Sequence, residues 1–331
     1  MNKKIVLNSR PNGMPLSGNF RMETIEMPVI KKGELLLKAV YVSVDPYLRG
    51  RMSDAKSYAP PIQLDAPMVS GVVAEVVESQ NASFKTGEYV VGSLAWQQYQ
   101  SSTGEGLNKT DPSVKPSSLY LGALGMTGLT AYFGLTKIGV PKAGETLVVS
   151  GAAGAVGSMV GQIGKLLGCR VIGIAGTDKK VTTLQTKFSF DGAINYKTTP
   201  NMKEAIAKAC PNGVDIYFDN VGGEISDAVL ANINKYARIA LCGSISMYNA
   251  TETPVGPRLQ PILLKSSARM QGFIVSNFAD QFPQAMTQLE TWFKEGKITY
   301  SETIVEGFDN IPQAFIDLFA GKNEGKMIVK I

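Results

Sequence analysis

Residues 151–157, Gly-Ala-Ala-Gly-Ala-Val-Gly, follow the apolar run "ETLVVS" and lead into "SMVGQIGKLL". A glycine turn that joins a strand to a helix can present backbone N–H groups to a pyrophosphate. In this reading Ala153, Gly154, Ala155 and Val156 form the cradle. Gly154 admits the phosphates, and Gly157 lets the helix sit close to the strand. Many α/β proteins close such a corner for packing alone, so the turn by itself fits either role; its setting between strand and helix favours a dinucleotide.

The end of the next strand chooses between dinucleotides. An NAD site commonly places Asp or Glu there for the ribose 2′-OH. This chain has Gly176 and Thr177, then Asp178, Lys179 and Lys180. A hydroxyl and a lysine suit a 2′-phosphate, which favours NADPH. The same residues also read as a helix N-cap followed by solvated lysines.

Other chemistry is excluded by what is missing. The chain contains no histidine, so Ser-His-Asp triads, Cys-His pairs and His-containing metal sites cannot form. Its three cysteines, Cys169, Cys210 and Cys242, are far apart and form no CxxC pair, so no metal site is expected and reduced thiols fit better than disulfides. General acid work falls to Tyr, Lys, a carboxylate, water or the cofactor.

The elements that would position these groups separate into two patterns. Up to about residue 120 the chain has short β-rich runs, "GELLLKAVYVSV", "PMVSGVVAEVVES" and "GEYVVGSLAW", punctuated by Pro, Gly and Asp. From "LGMTGLTAYFGL" onward, helices alternate with the apolar strands "TLVVSG", "RVIGIAG", "GAINY", "VDIYFDN", "RIALCG" and "MQGFIV". That alternation predicts an α/β doubly wound parallel sheet of the Rossmann type. In its first helix Val156, Met159, Val160, Ile163, Leu166 and Leu167 are expected on one apolar side. The stretch "SSTGEGLNKTDPSVKPSS" reads as an ordered surface loop.

With 331 residues and 44% hydrophobic content, two domains can each bury a core. Charged residues make up 18% and the net charge is +5 without a basic block, which points to an anionic small ligand rather than nucleic acid. No signal peptide or membrane-spanning run is legible, and a cytoplasmic, membrane-free location is expected.

A resemblance enters with a set of ordered stretches: "SVDPYLRGRMSDAKSYAPP", "LGMTGLTAYFGL", "GAAGAVGSMVGQIGKLLGCRVIGIAGTDKK", "VDIYFDNVGG", "CGSISMYNATE", "MQGFIV" and "GKNEGKMIVKI". They resemble the zinc-free branch of the medium-chain dehydrogenase/reductase superfamily, with its leukotriene B4 12-hydroxydehydrogenase/prostaglandin reductases and alkenal double-bond reductases. Within it the chain resembles the bacterial NADPH-dependent curcumin reductase type. The resemblance implies a mostly β GroES-like barrel domain formed by residues 1–123 and 302–331, with the tail folding back. It assigns 124–301 to the Rossmann domain and implies a homodimer, with "MQGFIV" as an edge strand at the contact; the same apolar run equally fits a strand buried within one subunit.

The resemblance also implies roles. It places Lys180 at the adenosine 2′-phosphate, Tyr196 near it, and Asn220 beside the nicotinamide ribose. The strand residues Phe273 and Val275 and the tail residue Asn323 would border the nicotinamide, with Met126 and Thr130 at the domain junction. Simple core or turn roles also fit Phe273, Val275, Asn220 and Asn323. The implied reaction delivers hydride from NADPH to the β-carbon of an enone or 2-alkenal, and a tyrosine O–H then stabilises or protonates the enolate. Tyr248, which the resemblance also places at the cofactor, Tyr47 and Tyr58 are the candidates, alongside the ribose hydroxyl and water. Reduction of quinones, and NADPH binding without catalysis, stay open beside this reading. "TETPVGPRLQPILLKSS" is expected to act as a lid over the substrate.

Overall fold

The computed structural model describes residues 1–331. It contains two compact units, one made of Met1–Gly122, Glu302–Asn323 and Met327–Ile331, the other of Ala123–Ser301 and Glu324–Lys326.

The first unit begins with an antiparallel pair, β1 (Asn2–Leu7) and β2 (Phe20–Ile25). Next come β3 (Leu35–Ser43), a short helix α1 (Leu48–Arg51), β4 (Val69–Ser79), β5 (Tyr89–Ala95), β6 (Tyr99–Ser102) and the two-residue β7 (Asn108–Lys109). The stretch read as a loop over 101–118 therefore also holds the end of β6 and all of β7. Strand β3 shows why the sequence chose this form: Leu35, Leu37 and Ala39 alternate inward while Lys38 points to solvent.

The second unit opens with α2 (Met126–Phe133) and continues through β8 (Thr146–Ser150), α3 (Ala155–Leu166), β9 (Arg170–Ala175), α4 (Asp178–Thr186) and β10 (Gly192–Asn195). It then adds α5 (Met202–Ala209), β11 (Val214–Asp219), α6 (Gly223–Leu230), β12 (Ile233–Leu241), α7 (Leu259–Ser266), β13 (Arg269–Gly272) and α8 (Phe282–Lys294). The six strands pair in the order β10-β9-β8-β11-β12-β13, and every pairing is parallel. Every residue of β8 is buried, as a central strand covered on both faces requires. "MQGFIV" contributes β13, the edge strand.

Helix α3 departs from a simple amphipathic stripe. Met159, Val160 and Ile163 are buried as expected, but Leu166 is 37% exposed. In its place Gly157, Gly161 and Gly164 are buried along the helix. A Cβ on Gly164 would lie 2.5 Å from the Leu147 side chain, and one on Gly161 would lie 1.9 Å from the Phe190 ring. Missing side chains at these glycines, together with the buried Met159, Val160 and Ile163, let this helix pack closely on its surroundings.

The tail returns to the first unit. Strands β14 (Glu302–Glu306) and β15 (Lys326–Lys330), separated by α9 (Ile311–Phe319), complete a seven-stranded sheet of order β14-β15-β3-β4-β5-β7, with β6 beside β3. Phe308, Ile311, Phe315, Met327 and Val329 of the tail share a core with Leu35, Leu37, Val42 and Trp96. The architecture is thus a Rossmann-type parallel sheet and a mostly antiparallel, GroES-like β unit. No helix is long and apolar enough to cross a membrane.

Candidate nucleotide site

The strand order reverses beside β8, with β9 on one side and β11 on the other. In an open α/β sheet the crevice outside the carboxyl ends of two such strands is where ligands bind. Here it is bounded by the turn after β8, Gly151–Gly154, and by Asn220–Gly222 after β11.

Helix α3 starts at Ala155 behind Gly154, which is extended and supplies no capping side chain. The N–H groups of its first turn have no intrahelical acceptors, so they are available to an anion. Gly157 serves packing, as the spacing predicts: a Cβ there would lie 2.4 Å from the Gly151 carbonyl oxygen and 2.7 Å from the Ala152 Cα. Gly151 itself has φ +58° and faces Asn220 and Val221, whose side chains would touch an added Cβ at 3.4 Å.

Asn220 closes the other side. Its amide Nδ2 donates to the Ser150 carbonyl at 2.8 Å, and its backbone N–H donates to Ser150 Oγ at 3.0 Å. Behind it lies the fully buried Asp219. One carboxylate oxygen of Asp219 accepts from Tyr217 Oη, Ser150 Oγ and the N–H groups of Val221 and Gly222, at 2.8, 3.0, 2.9 and 2.9 Å. Burial and this neighbouring carboxylate hold the Tyr217 phenol far above its ordinary pKa.

The loop after β12 is bonded to the same corner. Ile245 N–H donates to the Asn220 carbonyl at 3.3 Å, and Ser246 N–H to the Val221 carbonyl at 3.1 Å. Tyr248 follows in this loop, and its hydroxyl accepts the Ser244 N–H at 3.5 Å. Burial pushes the Tyr248 pKa up, the Ser244 N–H opposes that shift, and Cys242 adds to it.

The end of β9 carries the charge. Thr177 caps α4, its hydroxyl accepting the Lys180 N–H at 3.2 Å. Asp178, the acid that follows Thr177, accepts Asn195 Nδ2 at 2.7 Å. Gly176 makes room for the Tyr196 ring, which would come within 2.9 Å of a Cβ there. Burial pushes Lys180 below the ordinary lysine pKa, Glu324 partly opposes that, and Lys197 adds to it. The cap uses only the Thr177 hydroxyl and the Lys180 backbone N–H, so it does not engage the side chains of Lys179 and Lys180.

The remaining expected residues fall elsewhere. Phe273 and Val275 are not strand residues: β13 ends at Gly272, and Val275 begins a 3₁₀ stretch to Gln281. Phe273 is buried in an aromatic cluster, 6.2 Å from Phe218 and 6.4 Å from Phe278 between ring centroids. Met126 opens α2 half-exposed, and the Thr130 hydroxyl donates to the Met126 carbonyl within that helix at 2.7 Å. Tyr47, Tyr58 and Asn323 belong to the first unit. Tyr47 packs against its core, and burial, with Asp45 adding, raises its pKa well above the usual tyrosine value. Tyr58 is 63% exposed and Asn323 is buried.

Sequence reasoning did not assign Asp219, Ser150 or Gly151, although "VDIYFDN" and "TLVVSG" contain them. It also missed the tripeptide Glu324–Lys326. Gly325 N–H donates to the Ala153 carbonyl at 2.8 Å, so this piece of tail pairs with the glycine turn. No three His, Cys, Asp or Glu side chains come together in a way that could hold a metal.

These residues fit a dinucleotide phosphate: an uncapped helix start, a close-packed glycine turn, and lysines where a 2′-phosphate would be read. Comparison with known proteins gives the lineage. Residues 3–110 match a family described as the N-terminal domain of oxidoreductase, and 155–291 match one described as zinc-binding dehydrogenase. The chain is 55% identical over 331 residues to YfmJ of Bacillus subtilis (strain 168), covering 99% of this chain and 97% of that protein. It is 46% identical over 335 residues to the NADPH-dependent curcumin reductase of Escherichia coli (strain K12), covering 100% and 97%. The crystal structure of CurA from Vibrio vulnificus in complex with NADPH superposes with a TM-score of 0.95 at 48% identity, covering 99% of this chain and 98% of that one. The chain belongs to the medium-chain dehydrogenase/reductase family, in the branch of the curcumin and prostaglandin reductases.

Proposed function

We propose that this protein is an NADPH-dependent reductase of the C=C bond in α,β-unsaturated aldehydes and ketones, curcumin-type enones included. The observation that carries the cofactor half is the pairing of an uncapped α3 start with Lys180 and Tyr196 beyond β9, while Asp178 is engaged by Asn195. The substrate class is supported by the curcumin and prostaglandin reductases to which the chain is similar over nearly its whole length.

When bound, NADPH supplies the hydride that adds to the β-carbon. The work of this chain's own residues is binding and proton management. Ala153–Gly157 receive the pyrophosphate, Lys180, Thr177 and Tyr196 the 2′-phosphate, and Asn220, held by Ser150, the ribose. Tyr248 is a neutral phenol whose raised pKa keeps its proton available to an oxyanion or an α-carbon. Tyr47 and Tyr58 are the other candidate donors, and Asn323, Phe273, Val275, Met126 and Thr130 are assigned by resemblance alone. The outer edge of β13 supports a homodimer built through the second unit.

The test is NADPH absorbance with a panel of one 2-alkenal, curcumin, one para-quinone and one saturated ketone, repeated with NADH. Consumption with alkenal and curcumin, preferring NADPH and yielding the saturated carbonyl, is expected. Turnover confined to the quinone would move the function to quinone reduction, and silence with all four would leave nucleotide binding alone.

A further inference from the structure

The lysines beyond β9 have an acidic companion from far along the chain. Glu324 pairs with Lys179 at 2.8 Å, and its charge also acts on the partly buried Lys180. The Glu324 side chain is mostly sheltered, at 27% exposure, while that of Lys179 is 79% exposed.

Its position is fixed by backbone rather than by the ion pair. The N–H of Gly325 donates to the Ala153 carbonyl and that of Lys326 to the Ser301 carbonyl, both at 2.8 Å. Gly325 has φ +65°, and a Cβ there would lie 1.9 Å from the Ser301 oxygen. Glycine is thus required at 325, and Glu324 must emerge beside the lysines.

We propose that Glu324 is a specificity-determining residue: the carboxylate that the tail pins beside Lys179 and Lys180 competes with the 2′-phosphate of the cofactor and trims the affinity for NADPH relative to NADH. This rests on the assignment of Lys180 and its neighbours to the 2′-phosphate. A bound 2′-phosphate brings a charge of about −1.5 to −2 into the same cluster. Lys179 must then be shared between two anions, and the like charges repel.

The test is calorimetric binding to the full-length protein, with adenosine 2′,5′-bisphosphate as probe and adenosine 5′-monophosphate as control. Glu324→Gln is expected to tighten the bisphosphate about 3- to 10-fold, leave the monophosphate unchanged, and lose most of that gain in about 0.5 M salt. In a Lys179→Met background the gain from Glu324→Gln shrinks, since one of the shared cations is gone. Unchanged or weaker bisphosphate binding by Glu324→Gln would overturn the proposal. So would an equal loss of both probes with a lowered Tm, which would mark Glu324 as structural. Lys180→Ala serves as the separate control: if it leaves the preference for the bisphosphate intact, the phosphate-site assignment itself fails, whatever Glu324→Gln does.

Discussion

Ser150 Oγ donates to Asp219 Oδ1 at 3.0 Å, so the ends of β8 and β11 are tied through one buried carboxylate. The same oxygen gathers Tyr217 and two backbone N–H groups, while the other oxygen, equally buried, has no hydrogen-bond partner. Asp219 thus shapes the Asn220 turn without being aimed at a ligand.

Replacing Asp219 with Ala strands four donors in the interior. The expected cost is about 3 kcal/mol of stability, read from urea unfolding. Among molecules that stay folded, NADPH and NADH should weaken alike, because the tie acts on the ribose side and not on the 2′-phosphate. A selective loss of NADPH would contradict this placement.

Lys180→Ala should weaken NADPH about 10- to 100-fold more than NADH, the range expected for one charged hydrogen bond. Dissociation constants from cofactor fluorescence would decide it. Equal losses for the two cofactors would remove the 2′-phosphate assignment.

The pH dependence has a definite sign. Burial lowers the pKa of Lys180, so the group gives up its proton below the ordinary value of 10.5. Rising pH therefore removes a positive charge, and the preference for NADPH should fall before 10.5 is reached. On the acid side the phosphate takes up a second proton near about pH 6, and the preference should fall there too. A flat ratio of NADPH to NADH affinity across this window would count against Lys180.

Tyr248→Phe should lower kcat about 10- to 100-fold with little change in NADPH affinity. Burial raises the Tyr248 pKa above 10.0, so the wild-type rate should show no loss from phenol ionisation below that pH. Undiminished turnover in the variant would transfer the proton to Tyr47, Tyr58, the ribose hydroxyl or water.

Gly157→Ala should cost about 1–3 kcal/mol and abolish tight cofactor binding, since the new methyl group meets backbone at 2.4 Å and 2.7 Å rather than a movable side chain. Gly50→Ala, in helix α1 with nothing within 4 Å of its Cβ, is the helical control. Thermal melts and cofactor titration of both variants would separate crowding from a generic loss of glycine.

The parallel sheet was legible because each strand is a short apolar run bounded by turn residues, and Val148, Ile172, Tyr217 and Ile239 fill the expected core. The glycine turn was legible because tight backbone approach leaves a spaced pattern. Phe273 was misread because an apolar run does not announce where pairing stops, and here it stops at Gly272. Leu166 was misread because a helix that packs through glycines does not need all its apolar residues inside. Glu324 could not be seen at all: its partner Lys179 is distant in sequence, and only the tertiary path of the tail joins them.

That path also orders the birth of the molecule. The first unit starts at Met1 but includes Glu302–Asn323 and Met327–Ile331. Ile328 pairs with Ser43, Val329 with Val42 and Lys330 with Tyr41, so this end of β3 gains its second neighbour only when β15 has been synthesised, whereas Leu35–Lys38 already lie between β4 and β6. A nascent chain emerges N-terminus first, and domains usually fold in that order. Here the sequence of events is inverted. The unit begun first gains β14 and β15 only after residues 123–301, and until then its sheet is open at the Tyr41–Ser43 end of β3. Disruption of β15 would therefore be felt first far away in sequence, at the Tyr41–Ser43 end of β3.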